Sequence, residues 1–332
     1  MYRNLLCLVL GLIVGIQLTE FWNYVTYTTV EYESTAVVAN AETSLSEWLH
    51  RETRVLCLVL TMPAMHKLKA AHVKASWGAR CNKLIFLSSE DDPELGAVNL
   101  NVTESREHLY AKVRAGLAYA YEHYIEDYDW FLKADDDTYV IMENLRMFLY
   151  PYDPEAPVYF GYRLRTTYPQ GYMSGGAGYV LSRDALRRLN LIGLNNTKYC
   201  PLNTLAEDRQ LGYCLLNLGV VAGDSRDELG RERFLPLNPR HLMPRIQSGT
   251  WLDKYYYFKP NISDCCSDTS ISFHYTKAHD FAMFEYFLYQ MRVLGQAVSP
   301  SILPARLDFN QMEHQLAYWS QQNSDNNVSL LD

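Results

Sequence analysis

The chain reads Trp-Phe-Leu-Lys-Ala-Asp-Asp-Asp-Thr-Tyr-Val over Trp130–Val140, an apolar run that ends in three consecutive carboxylates. A run such as Trp130–Leu132 is typical of a central strand in a parallel sheet. The aspartates follow at the carboxyl end of that strand, where ligands bind in open α/β sheets. In an extended chain Asp135 and Asp137 point to one side and Asp136 to the other. The outer pair therefore suits Mg²⁺ or Mn²⁺ carrying a diphosphate, and a solvated acidic turn is the alternative.

Strand and helix patterns alternate in the first half of the chain. Buried-strand runs cover Val55–Thr61 and Lys83–Ser88, with a helical stretch through Trp77 between them. Helical spacing covers Glu104–Tyr124 and leads into the strand that carries the aspartates. This β-α-β-α-β order predicts an α/β fold with a Rossmann-like, mostly parallel central sheet flanked by helices.

The second half of the chain predicts a helix, a strand, a glycine-rich turn with a strand, an amphipathic helix and an aromatic segment. In order, these cover Thr138–Leu149, Val158–Tyr162, Gly171–Ser182, Ala206–Leu218 and Gly249–Pro260. The glycines permit positive φ and close approach of the backbone to a ligand, and packing or the floor of an acceptor-sugar site is favoured over a phosphate loop, because no Gly-Lys-Ser/Thr follows. Two acids, Glu207 and Asp208, open the amphipathic helix, where acids commonly act only as capping and dipole partners.

Composition is that of a globular protein and argues against a nucleic-acid ligand. The 332 residues are 48% hydrophobic and 13% aromatic, which is enough for a large core. The formal net charge is −8, whereas nucleic acid requires a basic face.

The N-terminus carries an uncharged apolar segment over Leu5–Ile16, with Arg3 before it and acidic residues after it. Extended to Trp22, a helix here spans about 27 Å, at the short end for a bilayer. The charge asymmetry predicts a cytoplasmic tail at 1–4, an uncleaved transmembrane anchor at 5–22 and a lumenal remainder. A cleaved signal peptide is the alternative. The polar residues 23–50 then form a stem.

Six of the seven cysteines lie beyond the apolar segment, at Cys57, Cys81, Cys200, Cys214, Cys265 and Cys266. An even set in an oxidising compartment predicts three disulfides and leaves their connectivity open. Asn-x-Ser/Thr sequons are compatible with a lumenal, glycosylated domain, and they occur at Asn101, Asn195, Asn261 and Asn327.

Five motifs together resemble one known family, and they are Trp130–Val140, Gly171–Ser182, Glu207–Asp208, Cys265–Asp268 and Phe273–Tyr275. The family is the core 1 β1,3-galactosyltransferases, also called glycoprotein-N-acetylgalactosamine 3-β-galactosyltransferases. The likeness runs from about Arg54 to Arg292. The aspartate triplet and the glycine-rich strand are shared with the wider β1,3-transferase and Fringe group, whereas the paired cysteines and Phe-His-Tyr indicate the core 1 branch.

The resemblance implies a GT-A glycosyltransferase fold in a lumenal catalytic domain over 51–300, followed by a C-terminal tail at 301–332. It implies inverting transfer of galactose from UDP-galactose to O3 of GalNAc on serine or threonine of glycoproteins, with Mn²⁺ as cofactor. Asp135 and Asp137 resemble the metal and donor carboxylates, and His274 resembles a third metal ligand. An imidazole completes a site for Mn²⁺ better than one for Ca²⁺.

An inverting displacement needs a base that takes the proton from the acceptor hydroxyl. Asp208 resembles this base and Glu207 is the alternative. Arg209 follows where family members usually carry an apolar residue, and a nearby guanidinium would depress the pKa of a carboxylate and weaken a base.

Donor-side positions of the family match Met62, Glu104, Ser105, Arg106 and Lys112, with a serine at 105 where a glycine is usual. Trp251 and Tyr275 resemble the aromatic pair that holds GalNAc. The family also implies the pairings Cys57–Cys81, Cys200–Cys214 and Cys265–Cys266, with two free thiols as the alternative for the adjacent cysteines.

The resemblance further implies a single-pass type II protein of the Golgi membrane and a homodimer. Two other hypotheses stay open at this stage. One is a non-catalytic, chaperone-like relative, although loss of the acidic motif is expected in such a protein. The other is a related transferase with a different UDP-sugar or acceptor, because residues 105, 209 and 252–254 depart from the family pattern.

Overall fold

The computed structural model describes residues 45–202, 206–242, 251–258, 265–292 and 305–328. The chain divides into two units, and the larger one, Leu49–Met291 with Pro304–Asp332, contains all strands found in the described residues. The smaller one, Met1–Trp48 with Arg292–Leu303, is described only at its edges. The expected anchor at 5–22 lies outside the described residues. No helix within those residues is long and apolar enough to cross a membrane.

Twelve strands are present in the described residues. They are β1 Val55–Leu60, β2 Lys83–Ser88, β3 Ala97–Asn99, β4 Trp130–Asp135, β5 Tyr139–Val140, β6 Val158–Gly161, β7 Arg163–Leu164, β8 Tyr172–Met173, β9 Tyr179–Ser182, β10 Val221–Ala222, β11 Phe234–Leu235 and β12 Ser272–Phe273.

The helices are α1 over residues 45–52, α2 Ala71–Ala75, α3 Leu109–Tyr124, α4 Met142–Leu149, α5 Arg183–Arg188, α6 Glu207–Asn217, α7 Pro239–Leu242, α8 Trp251–Tyr255, α9 Ala278–Glu285 and α10 Phe309–Val328. Short π-helical turns adjoin three of them, at His66–Ala70, Leu189–Gly193 and Tyr286–Gln290.

Seven strands form the central sheet, in the order β10-β6-β9-β4-β1-β2-β3. All neighbours are parallel except β9, which runs antiparallel between β4 and β6. Strand β1, which lies between β4 and β2, is buried along its whole length, because helices cover both faces of the sheet and each face needs an apolar surface. The prediction of an α/β fold with a mostly parallel central sheet is therefore confirmed.

One sequence-based prediction, a helix over Thr138–Leu149, is wrong at its start. The helix begins at Met142, and the residues before it form β5. Strand β5 pairs antiparallel with β12, with Tyr139 opposite Phe273. Pairing with a strand more than 130 residues away overrides the local helical pattern here. The same pairing brings the residue after β12, His274, next to the aspartates.

Three disulfides join Cys57 to Cys81, Cys200 to Cys214, and Cys265 to Cys266. The first links the central strand β1 to the turn before β2, and the second links a loop to α6. Of the sequon asparagines, Asn101 and Asn195 are exposed, whereas Asn261 lies outside the described residues. The side chain of Asn327 also lies outside them.

The C-terminal residues, expected to form a tail at 301–332, include the 20-residue helix α10. Its Trp319 is 5% exposed and packs against Tyr152 and Phe160, with ring centroids 5.8 Å apart in both pairs. Asn323 accepts a hydrogen bond from the buried Arg163. An aromatic anchor and a buried polar contact therefore make this helix part of the larger unit.

We expect Trp319→Ala to lower the free energy of unfolding by about 3 kcal/mol, because it removes a large buried ring. Equilibrium denaturation in urea measures the loss. The neighbouring Tyr318, 55% exposed, gives a matched control, and Tyr318→Ala should change stability by less than about 0.5 kcal/mol. Equal effects of the two changes would show that α10 does not anchor through Trp319.

Candidate active site

Two aspartates and one histidine meet at the carboxyl end of β4. Asp135 ends the strand, Asp137 follows in a turn, and His274 comes directly after β12. The His274 Nε2 atom lies 3.3 Å from Asp137 Oδ1 and 3.9 Å from Asp135 Oδ2. One potential ligand atom from each residue lies within 4.8 Å of the others. The chain turns after Asp135 instead of remaining extended, yet the outer aspartates still share one side.

The middle aspartate has a different role. The Thr61 hydroxyl donates a hydrogen bond of 2.8 Å to Asp136 Oδ2, and Lys69 Nζ lies 3.5 Å from Asp136 Oδ1. Burial raises the pKa of Asp136 to about 6. Asp136 therefore ties the acidic turn to the end of β1 and is not part of the histidine group.

Asp137 is held in its ionised form. Burial opposes ionisation, but hydrogen bonds from His274 and Lys69 outweigh it and lower the pKa of Asp137 to about 2. The Lys69 ammonium lies 3.0 Å from Asp137 Oδ2. An ionised carboxylate at this position is ready to bind a cation.

The donor set fits a divalent transition metal. Two carboxylates and one imidazole within this span are the ligand types that Mn²⁺ accepts, and they leave further coordination positions for a diphosphate. The His274 Nδ1 atom faces the Pro236 carbonyl oxygen at 3.3 Å. That contact orients the ring and leaves Nε2 directed at the carboxylates.

The glycine-rich turn makes room for this histidine. A Cβ atom at Gly176 would collide with the His274 ring, and one at Gly175 would lie 2.8 Å from Glu207 Oε2. Neither glycine has a positive φ, so the need for glycine here is space and not backbone conformation. The close approach at this turn is to the side chains of His274 and Glu207, whereas the sequence predicted an approach to a ligand.

Lys133, for which no role was predicted from the sequence, joins two groups of side chains. One is the aspartate–histidine group, Asp135, Asp137 and His274, and the other is the acidic pair, Glu207 and Asp208. Its ammonium lies 2.8 Å from Asp135 Oδ1, 3.1 Å from the Gly175 carbonyl oxygen and 3.7 Å from Glu207 Oε2. The residue is 2% exposed, and its acidic neighbours raise the pKa of Lys133 despite its burial. A lysine inside an apolar strand run is the sequence signal that could have indicated this role, because a buried ammonium needs acidic partners.

The acidic pair opens α6 on the other side of Lys133. Glu207 is 6% exposed and accepts a hydrogen bond of 2.7 Å from the Tyr179 hydroxyl. Burial raises the pKa of Glu207 to about 7. Asp208 is less buried and accepts hydrogen bonds from the backbone N–H groups of Gly175, at 2.9 Å, and Arg209, at 2.8 Å.

Burial also raises the pKa of Asp208 above the ordinary value, and the two backbone hydrogen bonds act against this shift. The Arg209 guanidinium forms no ion pair with Asp208 in the described residues. The sequence predicted that the Arg209 guanidinium would depress the pKa of Asp208 and weaken it as a base. No ion pair between these two residues in the described part of the chain supports that prediction.

Three of the expected donor-side residues converge at the end of β1. The Lys112 ammonium, 3% exposed, binds Glu104 Oε1 at 2.5 Å and the Thr61 carbonyl oxygen. Met62 follows Thr61 and is 37% exposed. The other two residues lie in an exposed turn before α3, where Ser105 Oγ contacts His108 Nδ1 at 2.9 Å and Arg106 is exposed.

Of the expected acceptor residues, Tyr275 lies beside the metal group. Its ring stacks on His274 with centroids 3.9 Å apart, and it is 55% exposed. Its backbone has a φ of 55°, in the left-handed region that non-glycine residues seldom adopt. Trp251 begins α8, and its side chain lies outside the described residues.

The Fringe-like family model matches residues 51–280, which is more than half of the chain, so the chain belongs to the Fringe-like family. It is 44% identical over 258 residues to glycoprotein-N-acetylgalactosamine 3-beta-galactosyltransferase 1 of Xenopus laevis, which covers 76% of this chain and 71% of that protein. This confirms the family resemblance seen in the motifs.

More distant relatives share part of the chain. A beta-1,3-glucosyltransferase of Mus musculus is 29% identical over 173 residues, which is 51% of this chain and 35% of that protein. Human chondroitin sulfate synthase 3 is 29% identical over 115 residues, which is 31% of this chain and 13% of that protein. The matched part of the chain thus spans about a third or less of the length of these two relatives.

We expect Asp137→Asn to weaken Mn²⁺ binding at least about tenfold, because it removes a charged ligand. Isothermal titration of the purified chain with MnCl₂ measures the change. Asp136→Asn is the matched control within the same triplet, and it should bind Mn²⁺ within about threefold of the unaltered chain. Similar losses in both variants would contradict the division of the triplet into an outer and a middle role.

Proposed function

We propose that the chain is an inverting galactosyltransferase with a GT-A fold that transfers galactose from UDP-galactose to O3 of GalNAc on serine or threonine of glycoproteins. The observation that carries the proposal is the meeting of Asp135, Asp137 and His274 with the Glu207–Asp208 pair through Lys133. The similarity to a glycoprotein-N-acetylgalactosamine 3-beta-galactosyltransferase supports the donor sugar and the acceptor.

Asp135, Asp137 and His274 are the residues that would hold Mn²⁺. A divalent ion at this position offsets the negative charge that develops on a departing diphosphate. The protein supplies the position of the ligands, because Lys133 holds Asp135 from one side while Lys69 and His274 hold Asp137.

Asp208 is the better candidate for the base. Both oxygens of Glu207 are engaged, one by the Tyr179 hydroxyl and the other by the Lys133 ammonium, and the residue is almost fully buried. Each oxygen of Asp208 also accepts one hydrogen bond, in both cases from a backbone N–H group that fixes its direction, but Asp208 is less buried than Glu207 and so is more open to an acceptor hydroxyl. Glu207 then positions Lys133 and Asp208, and Asp208 takes the proton from the acceptor hydroxyl.

On the donor side, Met62, Glu104 and Lys112 form one cluster at the end of β1. Thr61, whose carbonyl oxygen accepts a hydrogen bond from Lys112, also donates a hydroxyl hydrogen bond to Asp136 in the acidic turn. We place the nucleotide at this cluster, with Ser105 and Arg106 at its exposed edge. On the acceptor side, the exposed Tyr275 ring provides an apolar surface for GalNAc, and Trp251 is its proposed partner.

The cellular setting is part of the same proposal. The apolar segment at 5–22 would anchor the chain as a type II protein of the Golgi membrane, with the catalytic unit lumenal. A homodimer is supported by exposed apolar side chains along α9 and the turn after it, which are Met283, Tyr286, Phe287, Leu288 and Met291.

A related transferase with another donor is the second candidate, because Ser105 and residues 252–254 depart from the family pattern. A chaperone-like role is disfavoured, since all three aspartates are retained and the outer two meet His274. The purified full-length chain, Mn²⁺, a GalNAc-serine acceptor and a panel of UDP-sugars separate these possibilities. Transfer from UDP-galactose supports the proposal, turnover only with another donor supports the second candidate, and no transfer from any donor contradicts both.

We expect Asp208→Asn to lower kcat at least about 100-fold, because it removes the base but keeps the shape and one of the two backbone hydrogen bonds. Glu207→Gln is the matched comparison and should cost less, because Glu207 acts through Lys133 and Asp208. Steady-state kinetics with both substrates measure both values. An Asp208→Asn protein that folds and keeps the unaltered kcat would rule out Asp208 as the base.

The pH profile gives a further check of the same base. Because burial raises the pKa of Asp208, the base becomes protonated at a higher pH than an ordinary aspartate does, and kcat/KM should fall as the pH drops through that raised value. We therefore expect the acidic limb to lie above about pH 4, the ordinary aspartate value. An acidic limb at or below that pH, or one unchanged in Asp208→Asn, would contradict this assignment.

A further inference from the structure

Arg209 lies next to the proposed base, and its cation has no acidic partner in the part of the chain that the structure describes. It follows Asp208 in the first turn of α6, and its guanidinium forms neither a hydrogen bond nor an ion pair with the described residues. Its Nε atom is buried and unsatisfied. The first turn of a helix also disfavours a positive charge. Neither helix stability nor an internal partner accounts for this side chain.

Aromatic hydroxyl groups surround Arg209. The Tyr168 hydroxyl donates a hydrogen bond of 2.6 Å to the Arg209 carbonyl oxygen, and the Tyr168 ring packs against Tyr213. Tyr172 packs against the same helix, since a Cβ atom at Gly212 would lie 2.5 Å from the Tyr172 Cβ atom. Burial and the Asp208 carboxylate raise the pKa of Tyr172 to about 12, and the positive charge of Arg209 acts against this shift. The environment is polar and partly exposed, and Asp208, the acid beside Arg209 in the chain, forms no ion pair with it in the described residues.

The same edge carries two more cations from the acceptor side. Leu164 pairs with Tyr172 on one side and with Tyr256, directly after α8, on the other. The backbone N–H of Arg165 donates to the Tyr255 carbonyl oxygen at 2.7 Å, and its Nη2 donates to the Lys254 carbonyl oxygen at 3.0 Å. These pairings place the end of α8 beside β7, whose partner strand β8 carries Tyr172. Helix α8 begins at Trp251, the proposed acceptor residue.

This basic edge, formed by Arg165, Arg209 and Lys254, contrasts with the rest of the protein. The chain has a formal net charge of −8, and neither Arg209 nor Lys254 forms an ion pair in the described residues. Lys254 and Tyr255 are exposed, so the edge is open to a ligand. Guanidinium groups favour carboxylates because their donors match both oxygens.

We propose that the basic edge binds an acidic side chain of the acceptor polypeptide, so that the protein prefers GalNAc-serine or GalNAc-threonine flanked by aspartate or glutamate. The inference rests on the proposed function and specifies its substrate class. The donor diphosphate does not explain the edge, because the candidate metal ligands and Lys112 provide for it elsewhere. Arg209 is the specificity-determining residue, since it adjoins the base.

Two GalNAc-threonine peptides that differ only in glutamate or glutamine beside the glycosylated residue test this proposal. With the full-length chain, UDP-galactose and Mn²⁺, we expect kcat/KM to be about tenfold higher for the glutamate peptide. Arg209→Leu should bring the ratio close to one, and Arg209→Lys should keep part of it. About 0.5 M NaCl should reduce the ratio in the unaltered chain, because salt screens exposed charges.

Arg51→Leu, which removes an exposed arginine on α1, is the matched control and should leave the ratio unchanged. Fluorescence anisotropy of the labelled peptides measures the same preference without turnover. If neither peptide is galactosylated, the proposed function fails, and anisotropy alone decides the present inference. A ratio of one in the unaltered chain, or an equal ratio in Arg209→Leu, overturns the role of the basic edge.

Discussion

Compensation of buried negative charge is the constraint on which this site depends. Five carboxyl groups gather at the carboxyl end of the central sheet, from Asp135, Asp136, Asp137, Glu207 and Asp208. Within the described residues, Lys133 and Lys69 supply the ammonium groups beside them. Burial leaves two of the acids with raised pKa values near 6 and 7, so part of the charge is removed by protonation. A divalent ion at the aspartate–histidine group removes the remainder in the proposed function.

The fold brings these groups together from distant parts of the sequence. Strand β4 supplies the aspartates and Lys133, α6 supplies the acidic pair, and the pairing of β5 with β12 delivers His274. The turn at Gly175–Gly176 lies between them, and larger residues there would displace Glu207 or His274. The buried Lys133 ammonium therefore connects the proposed metal site to the acidic pair that holds the proposed base. A substitution in the metal site is expected to affect the base, and a substitution in the acidic pair is expected to affect metal binding.

The parts that could be predicted from sequence are those with a strong local signal. Fully buried parallel strands read as apolar runs, so β1, β2 and β4 were predicted close to their observed bounds. The aspartate triplet follows such a run, and motif resemblance gave the family. The start of α4 and the helix α10 were missed because long-range strand pairing and aromatic packing determine them. Lys133 was missed because its partners lie at Asp135 and, far along the chain, at Glu207.

The central claim is that Asp135, Asp137 and His274 bind the ion that carries the sugar nucleotide. A crystal structure of the chain with Mn²⁺ and UDP, with anomalous diffraction measured at the manganese edge, tests it most directly. The account predicts one anomalous peak about 2 Å from a carboxylate oxygen of each aspartate and from His274 Nε2, with the diphosphate on its open side. A peak elsewhere, or a bound UDP whose diphosphate avoids this group, would contradict it.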